Sequence, residues 1–219
     1  KIGLIGETGS GKTTLIELLC HFYPLPTDTL LINGISLEKI RKSSLRNLIS
    51  LVPQDSFLFS KPIQENIAFA RNEWTLDEII NLSKIVSLDE EIQKIPLQFD
   101  ALLGEKGVNL SGGQKQRLTI ARALMAQTPL VIFDDSLSAV DAHTEKNILQ
   151  NLRERKDNEN NSQTVTMLIV SNRIASIKWV DRIIVLKQGE IEATGTHFEL
   201  LKYSPTYKHL AILQKESIQ

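Results

Sequence analysis

The sequence predicts an α/β fold, in which a mainly parallel sheet is flanked by helices and a helix-rich segment is inserted. Several short apolar runs have the near-continuous hydrophobicity of strands that are covered by helices on both faces. A glycine-rich turn joins the first of these strands to a buried helix, and residues of about 55–126 are rich in helical patterns. The predicted strands are residues 1–5, 48–52, 130–133, 165–170 and 183–186.

The composition excludes several classes of protein. Of the 219 residues, 42% are hydrophobic and 23% charged, which excludes a disordered chain, a collagen and a disulfide-rich miniprotein. The 25 Lys and Arg residues against 26 Asp and Glu residues give a net charge of −1, so no overall positive field attracts nucleic acid. Cys20 is the one cysteine, which fits a reducing compartment. No apolar run approaches the roughly 18 residues of a bilayer span, so we expect any membrane role to need a partner or a further segment.

Residues 6–13 fit the pattern of a phosphate-binding P-loop, in which four residues separate the first glycine from Gly-Lys-Thr. Glycines adopt backbone angles closed to other residues, so successive amides can converge on phosphate oxygens at the positive end of the next helix. We expect Lys12 to contact the β- and γ-phosphates and the Thr13 hydroxyl to bind Mg²⁺. The nucleotide-binding candidates are Gly6, Glu7, Thr8, Gly9, Ser10, Gly11, Lys12, Thr13 and Thr14.

A second candidate lies at the end of the apolar run 130–133. The next residue, Asp134, carries a carboxylate that would hold the magnesium shell, usually through water. An apolar strand that ends in Asp is common, so this feature gains its weight from its pairing with the P-loop.

A capped helix that begins at Ser111 offers another phosphate-binding end. Leu118, Ala121 and Leu124 recur at helical spacing, which an ordinary capped helix would also explain. Two glycines with free amides after the cap favour phosphate binding. The string Leu-Ser-Gly-Gly-Gln resembles the signature motif of the ATP-binding cassette (ABC) ATPases. The apolar run that ends in Asp134 resembles the Walker B strand of the same family, and the P-loop, signature and Walker B strand occur in that family's order. The signature candidates are Ser111, Gly112, Gly113 and Gln114.

The resemblance implies further motifs and a division of the chain. Gln54 falls where the family has its Q-loop, which contacts Mg²⁺ and the attacking water. Asp141 falls in a segment similar to the D-loop (residues 138–141), and residues 103–107 resemble the X-loop of exporter-type cassettes. The implied domains are a RecA-like ATP-binding core of residues 1–53 and 127–219 and a helical subdomain of residues 54–126.

The resemblance also implies parts upstream of Lys1. Family cassettes carry an antiparallel sheet before the P-loop, with an aromatic residue that stacks on adenine. Family exporters carry a transmembrane domain further upstream. Because the P-loop strand starts at residue 1, we expect both to precede this sequence in a longer chain. The cassette would then lie on the cytoplasmic face of a membrane.

Two positions depart from the family pattern. Asp135 stands where Glu polarises the attacking water, and a group misplaced by about 1 Å can cost on the order of 100-fold in rate. Asn172 replaces the switch His, so it can donate a hydrogen bond but cannot carry a proton or a positive charge. Neutral drift in a working enzyme is the alternative explanation. The catalytic candidates are Asp135, Gln54 and Asn172, and the metal candidates are Thr13, Gln54 and Asp134.

In the ABC family two cassettes meet head to tail, and each ATP lies between one P-loop and the other cassette's signature. We expect this chain to own a hydrolysis-impaired site and to lend an intact signature to a different chain, as in the degenerate half of a heterodimeric exporter. The predicted function is that of a weakly active, MgATP-dependent ATPase subunit of an exporter, with no nucleic-acid partner. The alternatives are a regulatory cassette that holds nucleotide and a soluble ABC ATPase of DNA repair or translation, which the near-neutral charge disfavours.

Overall fold

A computed structural model describes residues 1–104, 110–154 and 165–216 of the chain. The strands are β1 (Ile2–Ile5), β2 (Leu31–Ile32), β3 (Ile35–Ser36), β4 (Ile49–Val52), β5 (Leu130–Asp134), β6 (Thr166–Val170), β7 (Arg182–Lys187) and β8 (Glu190–Gly195). The helices are α1 (Lys12–Leu19), α2 (Lys42–Arg46), α3 (Ile63–Ala68), α4 (Leu76–Ile85), α5 (Asp89–Gln93), α6 (Gly112–Met125), α7 (Ala142–Glu154), α8 (Ile174–Ile177), α9 (His197–Tyr203) and α10 (Pro205–Glu216). Short 3₁₀ turns occupy Leu37–Lys39 and Gln98–Asp100.

The main sheet has six strands in the order β4-β5-β6-β1-β7-β8. β1 pairs in parallel with β6 on one side and with β7 on the other, so Gly3 lies opposite both Ile169 and Ile183. β8 returns antiparallel to β7, with a bulge between Val185 and Leu186. The expected α/β fold with a mainly parallel sheet is confirmed. β2 and β3 form a separate two-stranded antiparallel sheet.

The chain divides into two compact units, each with its own apolar interior. Unit 1 comprises Lys1–Ile49, Ile132–Asp134 and Thr166–Gln219. Unit 2 comprises Ser50–Val131 and Asp135–Val165.

The interior of unit 1 is built around β1. Leu4 and Ile5 of this strand are buried, as are Ile183 and Val185 of β7. The apolar residues of β1 are contiguous because both faces of a central parallel strand are covered. The loop that follows β1 therefore starts from a fixed point in the middle of the sheet.

Unit 2 is helical, and α6 packs against α3 and α4. Arg122 of α6 reaches across to α3, where its Nε donates to Asn66 O at 2.8 Å. The same guanidinium lies 5.3 Å from the ring centre of Phe59 and 5.8 Å from that of Phe69. Burial lowers the pKa of Arg122 to about 10. Together with the neighbouring Phe57, these rings form a surface that we name the aromatic cluster (Phe57, Phe59 and Phe69).

Among the residues that the structure describes, no helix combines the length and the apolar character that crossing a membrane requires.

Candidate functional site

The loop between β1 and α1 forms a tight cradle in unit 1. Gly189 N–H, in the turn after β7, donates to Ser10 O at 3.0 Å and anchors the loop. A Cβ on Gly6 would lie 2.2 Å from Leu186 O, and Gly11 has a φ of 99°, so both positions require glycine. The backbone can follow this path only because it carries no side chains at these points.

Lys12 folds back over the cradle. Its ammonium donates to Gly6 O at 2.8 Å and to Glu7 O at 2.9 Å. α1 begins at Lys12, and no side chain caps its first turn. A positive ammonium and the positive end of a helix thus face the same loop, which suits an anion such as a phosphate group.

Asp134 ends β5 with only 8% of the residue exposed. Burial and, to a smaller extent, the negative charge of Asp134 raise the pKa of the Cys20 thiol, at the end of α1, to about 11. The same helix carries Thr13, an exposed residue, in its first turn. Carboxylate and hydroxyl oxygens are ligands that Mg²⁺ accepts, so the donor set of unit 1 fits a magnesium-bound nucleotide.

Asn172 is exposed two residues after β6, and α10 fixes its backbone. Gln214 Nε2 donates to Asn172 O at 2.7 Å, and Gln214 Oε1 accepts from Ile174 N–H at 2.7 Å. Ser171 N–H donates to Leu4 O at 3.1 Å. Position 172 is thereby tied to β1, the strand that leads into the cradle.

In unit 2 the two other predicted catalytic residues lie just beyond strand ends. Gln54 is exposed and comes two residues after β4. Asp135 directly follows β5 and is half-buried, with a φ of 44°. Its carbonyl accepts from Ser138 N–H at 3.2 Å, which starts the turn into residues 138–141.

The first turn of α6 is capped by the predicted signature residues themselves. Ser111 Oγ accepts from Gln114 N–H at 3.2 Å, and Gln114 Oε1 accepts from Ser111 N–H at 2.8 Å. This reciprocal pair is a capping box. The glycines between them leave the start of α6 without bulky side chains.

An ion pair between the buried Arg117 and the partly exposed Glu91 holds Gln114 in this position. Gln114 Nε2 donates to Glu91 Oε2 at 2.7 Å, and the Arg117 guanidinium donates to both Glu91 oxygens at 2.7 and 3.1 Å. Arg117 also donates to Gly113 O at 3.3 Å and to Ser87 O. Burial would raise the pKa of the Glu91 carboxyl, but the bonds from Arg117 and Gln114 outweigh it, so the pKa lies below its usual value.

The D-loop residue Asp141 has a local role in this chain. Its Oδ1 accepts from Thr144 N–H at 3.0 Å in the first turn of α7. That hydrogen bond lowers the pKa of the Asp141 carboxyl, as expected of a helix cap. Of the predicted X-loop only residues 103–104 are described, so residues 105–107 lie outside the described part of the chain.

The structure therefore groups the predicted residues by unit. Unit 1 holds the P-loop (residues 6–14), Asp134 and Asn172, and unit 2 holds Gln54, Asp135, the signature and Asp141. Sequence reasoning missed Glu91 and Arg117. Glu91 has no local signal, because 23 residues separate it from Gln114 and only folding brings the two together.

A glycine-built phosphate cradle after the central strand, with a lysine folded over it and a buried aspartate at the end of β5, defines a P-loop nucleotide-binding protein. Within this class, the model of the ABC transporter family matches residues 1–138. The chain belongs to the ABC transporter family.

Relatives match almost the whole chain. YgaD of Bacillus subtilis, whose name describes a multidrug export ATP-binding/permease protein, is 39% identical over 213 residues, which are 97% of this chain and 36% of YgaD. ABC transporter B family member 6 of Dictyostelium discoideum is 38% identical over 209 residues, 95% of this chain and 30% of that protein.

A solved structure, described as a bacterial Atm1-family ABC exporter with ATP bound, matches with a TM-score of 0.90 at 34% identity. That match covers 98% of this chain and 37% of the exporter chain. The chain thus spans about a third of the length of the curated relatives it matches, 36% of YgaD and 30% of the Dictyostelium protein.

The close approach of residue 113 to the D-loop gives a stability prediction. A Cβ on Gly113 would lie 2.9 Å from Ala139 O, whereas one on Gly112 would meet only Ala139 Cβ at 3.7 Å. We expect Gly113→Ala to lower the free energy of unfolding by about 1–3 kcal/mol through overpacking. Gly112→Ala, the matched control, should leave it unchanged or raise it by up to about 1 kcal/mol. Urea titration followed by circular dichroism compares them, and equal effects would contradict this packing.

The ion pair of Glu91 gives a pH prediction. Because its folded-state pKa is lowered, the carboxylate contributes stability above the ordinary glutamate pKa, and this contribution disappears as the pH falls through the folded-state pKa. The difference in free energy of unfolding between wild type and Glu91→Gln should be largest near neutral pH and shrink on acidification. Glu90→Gln, an exposed neighbour in α5, should show no such trend in the same urea titrations. A difference that does not change with pH would contradict the role of the charge.

Proposed function

We propose that this chain is the MgATP-binding cassette of an ABC exporter and that it contributes to ATP-driven transport. The observation that carries this proposal is the cradle of unit 1, where Lys12 and the uncapped start of α1 face a loop that cannot accept side chains at Gly6 and Gly11. Two relatives support the transport role, since YgaD is named an export ATP-binding/permease protein and the solved relative an ABC exporter.

Each residue of the cradle then has a separate task. The amides of residues 6–14 bind the phosphate oxygens of ATP, and Lys12 exchanges its carbonyl partners for the β- and γ-phosphates. Thr13, Asp134 and Gln54 are the residues that would hold the magnesium ion. The ion, when bound, neutralises negative charge on the β- and γ-phosphates.

The signature serves a second site. We propose that Ser111, Gly112, Gly113 and Gln114 bind the ATP held by the P-loop of another cassette in a head-to-tail dimer. The exposed capping box supports this, because the first turn of α6 presents a hydroxyl and glycine amides to solvent. The Glu91–Arg117 pair keeps that turn in one conformation before a partner arrives.

The two sites of such a dimer differ in chemistry. At this chain's own site, Asp135 is one methylene shorter than glutamate, and a carboxylate that sits about 1 Å too far from the attacking water loses much of its effect. Asn172 can donate a hydrogen bond to a γ-phosphate oxygen but cannot bring a positive charge. The phosphate-binding and magnesium candidates are all present, so we expect ATP to bind at this site and to be hydrolysed slowly. We therefore assign the partner cassette to a different chain.

A second candidate function follows from the same two residues. If nucleotide at this P-loop is never hydrolysed during the cycle, the cassette is a regulatory module whose bound ATP keeps the dimer together. Nucleotide trapped at this site distinguishes the two candidates, since ADP indicates a motor and persistent ATP a regulator. A soluble ABC ATPase of DNA repair or translation is disfavoured by the net charge of −1.

The membrane partner is proposed on the side of the helical subdomain. Phe57 and Phe69 of the aromatic cluster are about half exposed, at 51% and 52%, and lie in the segment that follows Gln54. Arg122 supports this surface, because its guanidinium donates to Phe57 O and lies over the ring of Phe69. We propose that it contacts a transmembrane domain fused upstream, which places the cassette on the cytoplasmic face. We propose the same two domains as the sequence analysis: a core of residues 1–53 and 127–219, and a helical subdomain of residues 54–126.

Nucleotide binding provides the direct test. Removing the Lys12 ammonium should weaken MgATP binding by about 10- to 100-fold, since a hydrogen bond to a charged group is worth about 1.5–3 kcal/mol. Calorimetry or a fluorescent ATP analogue would compare Lys12→Ala with wild type in the full-length protein. Lys208→Ala, an exposed lysine of α10, is the control and should bind normally. Wild-type protein that takes up no MgATP, even with a partner cassette present, would overturn the proposal.

Restoring the two altered residues should raise turnover. We expect Asp135→Glu combined with Asn172→His to increase ATP hydrolysis by the paired complex, by up to about 100-fold at this site. Asp135→Asn, which keeps the size but removes the base, should show no increase. Steady-state phosphate release measures the effect. No gain from the double substitution would count against an impaired site.

A further inference from the structure

Gln116 of α6 is a buried polar side chain, 5% exposed, that no motif accounts for. It lies three and four residues after the signature glycines Gly113 and Gly112, and therefore on the same face of the helix. That face meets the backbone of the D-loop, because a Cβ on Gly113 would lie 2.9 Å from Ala139 O. Gln116 therefore lies one helical turn beyond Gly113 on the face of α6 that contacts the D-loop.

The D-loop uses Gln116 to complete its backbone hydrogen bonds. Ser138 N–H donates to Asp135 O at 3.2 Å, and Val140 N–H donates to Leu137 O at 3.1 Å. Between them, Ala139 N–H donates to Gln116 Oε1 at 2.9 Å. At the centre of residues 138–141, a side chain of α6 therefore accepts the hydrogen bond that a backbone carbonyl accepts at the neighbouring positions.

The other end of the same carboxamide contacts the Q-loop. Gln116 Nε2 donates to Ser138 Oγ at 3.3 Å and to Gln54 O at 3.5 Å. The amide has two N–H hydrogens and one oxygen, so these contacts together with Ala139 use its full set of donors and one acceptor site. One buried side chain thereby touches the D-loop, the Q-loop and the signature helix.

We infer that Gln116 is a positioning residue that keeps the D-loop and the Q-loop backbone in register with the signature helix. The inference rests on the proposed function, because these segments matter for turnover only if they serve ATP sites. The three contacts of the Gln116 carboxamide are with protein atoms, so we assign it a positioning role. Its effect passes through the backbone of Ala139 and the carbonyl of Gln54, so its loss should change turnover more than nucleotide affinity.

Two substitutions separate the acceptor from the donors. Gln116→Glu keeps an oxygen for Ala139 N–H but loses the N–H groups that bind Ser138 Oγ and Gln54 O. Gln116→Leu keeps the approximate volume and loses all three contacts. Gln150→Glu makes the same chemical change at an exposed position of α7 and serves as the control.

The experiment uses the full-length protein in its membrane complex and measures amide hydrogen exchange, MgATP binding and ATP turnover. For Gln116→Leu we expect exchange at Ala139 to become about tenfold faster, because one hydrogen bond is lost. Its kcat should fall about tenfold while KM for MgATP stays within about twofold, as expected for misplaced groups rather than lost binding. Gln116→Glu should keep wild-type exchange at Ala139 but lose part of kcat. Gln150→Glu should match wild type.

Several results would overturn the inference. Unchanged exchange at Ala139 together with unchanged kcat in Gln116→Leu would show that the residue positions nothing, while the proposed function would stand. Faster exchange spread over all of α6 would reveal a general stabilising role instead. Failure of the unsubstituted protein to bind MgATP would overturn the proposed function and this inference with it, and that measurement is independent of any variant.

Discussion

The close approach of two backbones governs the phosphate cradle. Gly6 lies so near the Leu186 carbonyl that no side chain fits between them, and the Gly189 amide holds the loop from the next turn. Because β1 pairs with β6 and β7 at the middle of the sheet, this loop starts from a rigid point. The position of Lys12 and the exposed start of α1 follow from that constraint. A flexible loop would have to lose conformational entropy on binding, whereas this one has lost it on folding.

In unit 2 a single helix, α6, has a comparable organising role. Its first turn carries the signature glycines, and Arg117 fixes that turn through Glu91. One turn further, Gln116 completes the backbone of the D-loop. Near its other end, Arg122 supports the aromatic cluster. A helix of 14 residues is about 21 Å long and stiff. α6 therefore connects the proposed nucleotide-facing end to the proposed membrane-facing surface as one continuous helix.

Binding and hydrolysis place different demands on a nucleotide site, and we propose that this chain meets them unequally. Binding depends on amides, an ammonium and magnesium ligands, and unit 1 holds the glycine-rich loop, Lys12 and Asp134. Hydrolysis also needs a carboxylate close enough to polarise the attacking water and a group that stabilises negative charge on the γ-phosphate. We propose that Asp135 and Asn172 supply weaker versions of both. Under the proposed function such a cassette works in a pair, because the signature residues that it would offer to a partner are all present in the sequence.

The sequence by itself determined β1, β4, β5, β6 and β7, the capped helix α6 and the family, since each depends on residues that are neighbours in the chain, whereas β2, β3 and β8 were not predicted. Glycine spacing and apolar periodicity are local signals, and the family that they indicated is the one whose model matches residues 1–138. Only the tertiary structure decided the contacts of Glu91, Arg117, Gln116 and Arg122. Glu91 meets Gln114 across 23 residues, and Gln116 meets Gln54 across 62. A local sequence pattern does not predict such pairs, because the hydrogen-bond partners of these side chains come from distant parts of the chain and meet them only in the folded protein.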